Sequence, residues 1–277
     1  MRFVAPSRAA TDAAVFERPP LAQWHEFRDL LSGPEWPLVA ALNEFGAVTA
    51  PRFVSQSPDL LSEGVHYEQR IADRGEIATR ECNWHDLLNA LIWLRYPQLK
   101  SALNARQVSE IAVAGPKART RAQCALTLFD EGGIVVLMRE PELRDLWDVH
   151  DWHGLFWRER NAWLDGRLEA IVFGHALLEH ALKPHQLLVG KAIGVTLPRG
   201  TDMESRVQEL ESALAEAIRE GKLLNDPQEL RPLPLSGIPG WCEENASEDF
   251  YRTAACFRPV RPGRRYPAPF SSPSGGS

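Results

Sequence analysis

The sequence is poor in cysteine, and what it has is scattered. Cys82, Cys124, Cys242 and Cys256 form no C-x-x-C pair. This excludes a disulfide framework or a thiolate-built zinc module as the organising device. Also missing is any run close to the roughly 20 apolar residues of a membrane helix. The opening stretch MRFVAPSRAATDAAVFERPP has no apolar signal core and carries Asp12 and Glu17. The expectation is therefore a cytoplasmic protein with no membrane partner. A basic excess is lacking too: the net charge is −6 and the pI about 5.8, which argues against nucleic acid as the main partner. There is no G-x-S-x-G elbow, Walker loop or dinucleotide fingerprint, so the common hydrolase and nucleotide-binding classes have no support.

What is present fits a folded core. The 277 residues suit one large domain or two small ones. The hydrophobic share of 44% and charged share of 25% are those of an ordinary globular chain. Nine tryptophans favour a large buried area or a binding surface.

Periodicity and turn residues divide the chain. Residues 1–18 read as loose. A helix carries Leu21, Trp24, Phe27, Leu30 and Leu31, stopped by Gly33 and Pro34, and a short helix follows to Phe45. PRFVSQ reads as a strand, and VHYEQRI–DRG–EIAT as a hairpin. Asn83 caps a helix that runs to Pro97, where QLKSALNARQ begins another. AGPKARTRA reads as a basic loop, in which Lys117, Arg119 and Arg121 would meet solvent or a phosphate. CALTLF–DEGG–IVVLM reads as a second hairpin, with Asp130 and Glu131 as turn formers. PELRDLWDVH and DWHGLFWRERNAWL read as helices, 168–182 as one long helix, and GKAIGVTLP as a strand. In TDMESRVQELESALAEAIREGK, Thr201 and Glu204 form a capping box, Val207, Leu210, Leu214 and Ile218 share a face, and Gly221 stops the helix. The fold class expected is α+β, mainly helical. A central buried helix would have two or three hairpins around it, in one domain over 19–259 with a disordered tail at 260–277.

The candidate chemistry lies on the Asn83–Tyr96 helix. On a helical wheel Leu87, Leu88, Ala90, Leu91 and Leu94 take one side, and His85, Asp86, Asn89, Trp93 and Tyr96 the other. A helix without a charged outer face is buried, and its polar groups then need partners. Its N-terminal dipole favours neutral His85 and anionic Asp86. The alternative is a cap and a loop contact with no function. His175 and Glu179, four apart, share a face of a second apolar segment and suit one metal ion or a plain internal hydrogen bond. DVHDWH places Asp148, His150, Asp151 and His153 together, but in a junction expected to face water. Cys82 and His85 lack the second pair that zinc would need.

TR-x-x-NWHDLLNALIWLRYPQLKSALN, ALTLFDEGG, FGHALLEHAL and GIPGW-x-x-x-N-x-x-x-x-FY-x-x-x-x-x-FRP together resemble a bacterial family, domain of unknown function 3025, from about Phe53 to Pro259. The resemblance implies no activity. It marks Arg80, Asn83, Trp84, His85, Asp86, Asn89, Asp130, Glu131, His175 and Glu179 as motif positions and leaves Cys82 in a variable slot. It leaves the DVHDWH histidines outside the motifs, and implies that residues 236–259 fold back onto the domain.

The sharpest functional expectation is a metal-assisted hydrolase. His85, His175 and Glu179 would hold one divalent metal ion, with Asp86 or Asp130 contributing, Asn89 orienting substrate and Arg80 meeting an anion. The rivals are a non-catalytic binding or scaffold protein whose polar groups form an internal network, and a small-ligand pocket beside Trp93 and Tyr96.

Overall fold

The computed structural model describes residues 3–46, 51–115, 118–198 and 207–271. Strands β1 (Arg52–Ser55) and β2 (Glu76–Thr79) pair in parallel, with Phe53 opposite Ile77. A parallel pair needs a crossover, and helix α1 (Tyr67–Arg74) supplies it. The hairpin expected here is thus a helix and a strand. His66 caps α1 by accepting from the Glu68 amide, and Gly75 ends it at φ 62°. The buried Arg70 guanidinium then pairs with Glu63 and with Glu76 at 2.9 Å.

Helix α2 (Trp84–Arg95) starts as the sequence indicates, with Asn83 Oδ1 accepting from the Asp86 amide at 3.1 Å. Leu87, Leu88, Ala90, Leu91, Ile92 and Trp93 are all buried, so the helix lies inside the core. Pro97 opens helix α3 (Pro97–Ala114). The first amides of α3 have no partner within their own helix; Glu211 accepts from Gln98 N at 2.7 Å and Leu99 N at 3.0 Å.

The second expected hairpin is also a helix followed by a strand. Helix α4 (Arg121–Gly132) is opened by a capping box between Thr120 and Gln123, and buries Ala122, Ala125, Leu126 and Phe129 at helical spacing. Gly133 then starts β3 (Gly133–Met138), buried at all six positions. Such a run belongs to a strand covered on both faces. Helices α5 (Glu142–Asp148) and α6 (Arg160–Leu164) lead to β4 (Leu168–Val172), antiparallel to β3. The segment 168–182 is therefore not one helix. Leu168, Ala170 and Val172 alternate inward as a strand, and helix α7 (His175–Ala181) begins after Gly174.

Strand β5 (Val189–Thr196) runs parallel to β3 on its other side. Helix α8 (Val207–Arg219) packs on α3 with Leu210, Leu214 and Ile218 buried; Val207, expected on that face, is exposed. The capping box at Thr201 and Glu204 falls outside the described residues. The outer edge of β5 is shared: β6 (Arg231–Pro234) pairs antiparallel along Val189–Ala192, and β7 (Phe270–Ser271) pairs parallel along Val195–Thr196. The fold is thus a mainly helical α+β structure. None of its described helices is long and apolar enough to cross a membrane.

Both chain ends engage the body more than the composition implies. Val15 and Phe16 are buried, and Pro6 O accepts from Trp84 Nε1 at 3.1 Å. At the other end Pro267 O accepts from the buried Arg231 guanidinium at 2.6 Å, and β7 joins the sheet.

Candidate metal centre

Glycine brings the site together. A Cβ on Gly174 would stand 2.4 Å from Gly133 N and 2.5 Å from Glu131 O, so only glycine lets these backbones meet. Phe173 N and Gly174 N both donate to Gly133 O at 2.9 Å. The start of α7 is thereby fixed against the α4–β3 junction. His175, the first residue of α7, faces Asp130 and Glu131 across this contact. Helix α7 also packs on α2, which presents His85.

The two imidazoles meet through their Nε2 atoms at 3.0 Å. Glu131 Oε2 lies 3.6 Å from His175 Nε2. One ligand atom each from His85, Glu131 and His175 falls within 4.8 Å of the others, and no other such group of His, Cys, Asp or Glu occurs among the described residues. Two nitrogens on a single ion at about 2.0–2.1 Å lie roughly 3.0–3.4 Å apart, so the Nε2 pair has the right bite.

Glu179, expected as a ligand, takes a different place. Its Oε2 is 3.0 Å from His85 Nδ1, on the ring side away from His175. It therefore orients His85 and directs Nε2 inward, as carboxylates behind metal-bound histidines do. Glu131, read from sequence as a turn former, is the acid near both Nε2 atoms.

Two neutral imidazoles in this arrangement leave one nitrogen unsatisfied. If His85 donates Nδ1–H to Glu179 and is neutral, its Nε2 is a bare acceptor. His175 must then donate Nε2–H, which leaves its Nδ1 bare. That Nδ1 is buried without a hydrogen-bond partner, and its nearest acid is Asp130 Oδ2 at 3.8 Å, another acceptor. A cation between the Nε2 atoms, whether a proton or a metal ion, removes the conflict and lets Nδ1 carry hydrogen toward Asp130.

The titration tendencies agree. The hydrogen bond to Glu179, aided by Glu131 and Asp86, holds His85 above its usual value despite burial. Burial drives His175 down to about 3, so its imidazole stays neutral. Burial pushes the Asp130 carboxyl up, but Lys100 and the imidazoles outweigh it and hold it below the usual range. Burial raises Glu131, with His85 opposing.

The remaining sequence candidates flank this centre in a cleft of about 510 Å³. Lys100 Nζ bonds Asp130 Oδ1 at 2.5 Å and Asn89 Oδ1 at 2.8 Å, and Asn89 Nδ2 donates to Tyr67 Oη at 3.1 Å. Arg80 holds Asp86 by its amide at 2.6 Å and its guanidinium at 2.7 Å, so this pair is mutually neutralised. Trp93 lines the cleft, whereas Tyr96 stands edge-on to Trp24, 6.1 Å between ring centres, away from it. Arg119 lines the cleft, Arg121 is paired with Asp226, and Lys117 lies outside the described residues. Sequence reasoning missed Lys100, Tyr67 and Glu68. Their one signal was Lys100 within a helix face of Leu99, Ala102 and Leu103, where a lysine needs a buried partner.

The other candidates do not converge. Asp148 binds Arg231 at 2.6 Å, Asp151 accepts from the Gly154 amide at 2.8 Å, and His153 meets Glu248 at 2.8 Å. Cys82 is exposed and belongs to no metal-capable group.

A family model described as a protein of unknown function, DUF3025, matches residues 51–261, and the chain belongs to this family. No curated protein and no solved structure matches the chain.

Proposed function

We propose that this member of the DUF3025 family binds one divalent metal ion through His85, His175 and Glu131 and uses it for hydrolysis of a small polar substrate in the adjoining cleft. The observation that carries the reading is the 3.0 Å approach of two histidine Nε2 atoms beside a carboxylate. Two nitrogens and one oxygen suit zinc and leave a coordination position for water or substrate. A bound ion of this kind supplies a Lewis acid and makes hydroxide accessible near neutral pH.

The chain's own groups then have distinct work. Glu179 fixes the tautomer and orientation of His85. Asp130, held anionic by Lys100, faces His175 Nδ1 and keeps its proton there. The half-buried Glu131 carboxyl, raised by its surroundings, is placed to hold a proton as well as an ion. Asn89 and Arg119 present donors to substrate. The Arg80–Asp86 pair at the cleft wall orients the first turn of α2; it has no open charge for a ligand.

A second reading, an internal polar network without chemistry, is favoured by the closed chain Tyr67–Asn89–Lys100–Asp130. Metal analysis of the purified protein separates the two. The metal reading expects about one equivalent of zinc after exposure and gel filtration, absent from His85→Ala and His175→Ala. Wild-type protein that retains no metal, with both variants merely less stable, establishes the network.

A further inference from the structure

A second cavity, of about 710 Å³, lies along β5 and β6 and under the C-terminal segment, and shares no lining residue with the His85 cleft. Its size is that of a site for a small organic ligand. Lys191, Arg258, Arg261 and Arg264 line it, and no carboxylate does. In a chain with net charge −6 this is a local reversal of sign. Two acids near it are occupied: Asp148 by Arg231 at 2.6 Å, and Asp226 by Arg121. Lys191, Arg258 and Arg261 make no ion pair among the described residues, and Lys191 is half-buried on β5.

The backbone that carries the arginines is held in place by the fold. Arg258 O accepts from Trp152 Nε1 at 2.7 Å and lies 3.1 Å from His150 Nδ1. His150 Nε2 meets Tyr266 Oη at 2.9 Å, and Arg264 stacks on Tyr266 at 4.6 Å. These contacts tie the strap bearing Arg258, Arg261 and Arg264 to the body opposite Lys191. Four like charges in one concavity repel one another; Arg264 is partly offset by the Gln228 and Leu230 carbonyls to which it donates and by the nearby Asp226, whereas Lys191, Arg258 and Arg261 are not paired among the described residues. Burial and the neighbouring Arg261 and Arg264 depress the Lys191 ammonium, the tendency of a cation awaiting an anion. Leu187 and Val189, both partly exposed, add an apolar wall for an organic moiety.

We propose that the cavity between Lys191 of β5 and the Arg258–Arg264 strap binds the phosphate of a small phosphorylated molecule. Guanidinium forks and an ammonium are the groups that recognise phosphate oxygens. The apolar wall fits a nucleoside better than bare polyphosphate, and the experiment distinguishes them.

Isothermal titration of the metal-stripped protein in phosphate-free buffer, with pyrophosphate and with AMP, tests the assignment. Saturable binding at one site is expected. Lys191→Met and Arg261→Gln should each weaken it about tenfold or more, whereas His85→Ala should leave it unchanged. Arg261 is exposed, so its variant keeps the test alive should Lys191→Met not fold. AMP binding tighter than pyrophosphate supports a nucleotide-like ligand, and the reverse order supports a polyphosphate. The assignment is overturned by no saturable binding of either probe, by affinities within about twofold of wild type in both cavity variants, or by loss of binding in His85→Ala.

Discussion

At the scale of single residues, the decisive feature is the 3.0 Å approach of two imidazole Nε2 atoms. His85 and His175 were both legible, because a histidine in an otherwise aliphatic helix must be satisfied somewhere. Which acid joins them was not legible. Helical spacing favoured Glu179, four residues from His175, yet its carboxylate reaches Nδ1 of His85. Glu131 looked like a turn residue only because its segment read as a loop. The proton and the metal compete for the same Nε2 position, which fixes a pH dependence. His85 is held above the ordinary 6.5 by Glu179, and imidazolium cannot ligate. On the proposed reading, zinc binding is expected above the raised value and is lost as pH falls through it, so the decline begins above pH 6.5. In Glu179→Gln the loss moves to lower pH, and neutral-pH affinity drops roughly 10- to 100-fold with the orienting contact gone. Competition titrations with a zinc indicator across pH would show this; identical profiles for the two proteins would remove Glu179 from its assigned role.

At the scale of elements, the starts of α2 and α3 were legible and the short apolar runs were not. Asn83 and Pro97 marked the starts of α2 and α3 correctly. CALTLF and IVVLM are both short, mostly apolar runs, and periodicity alone does not separate a buried strand from a buried helix turn. The Thr120–Gln123 capping box was the available signal for α4, and the glycines then read as a turn are the junction into β3. The same ambiguity hid the break at Gly174. Thr120→Ala tests the assignment. Loss of the cap should cost about 1 kcal/mol, read as a lower midpoint of urea denaturation with an unchanged slope. A residue in a solvated loop before a hairpin would give no measurable change.

At the scale of the whole molecule, the site exists because three distant segments converge. His85 and His175 are 90 positions apart, and the local pattern around each says nothing about the other. The convergence comes from tertiary contacts: α7 against α2, and Gly174 against Gly133. The C-terminal segment shows the same limit of local reading. Its proline-rich composition suggested a disordered tail, yet Tyr266, Pro267 and Phe270 dock on the sheet and on Arg231. The acidic net charge, by contrast, hid a locally basic cavity, because a sum over the chain carries no position.

The proposed function requires that His85 and His175 share one ion. X-ray absorption at the zinc edge, on protein loaded with one equivalent of zinc, tests it most directly. The expected spectrum has nitrogen and oxygen neighbours at about 2.0–2.1 Å, with the outer-shell scattering of two imidazoles that falls to one in His175→Ala. A spectrum of sulfur ligands or of hydrated zinc, or one that the His175 substitution leaves unaltered, would contradict it.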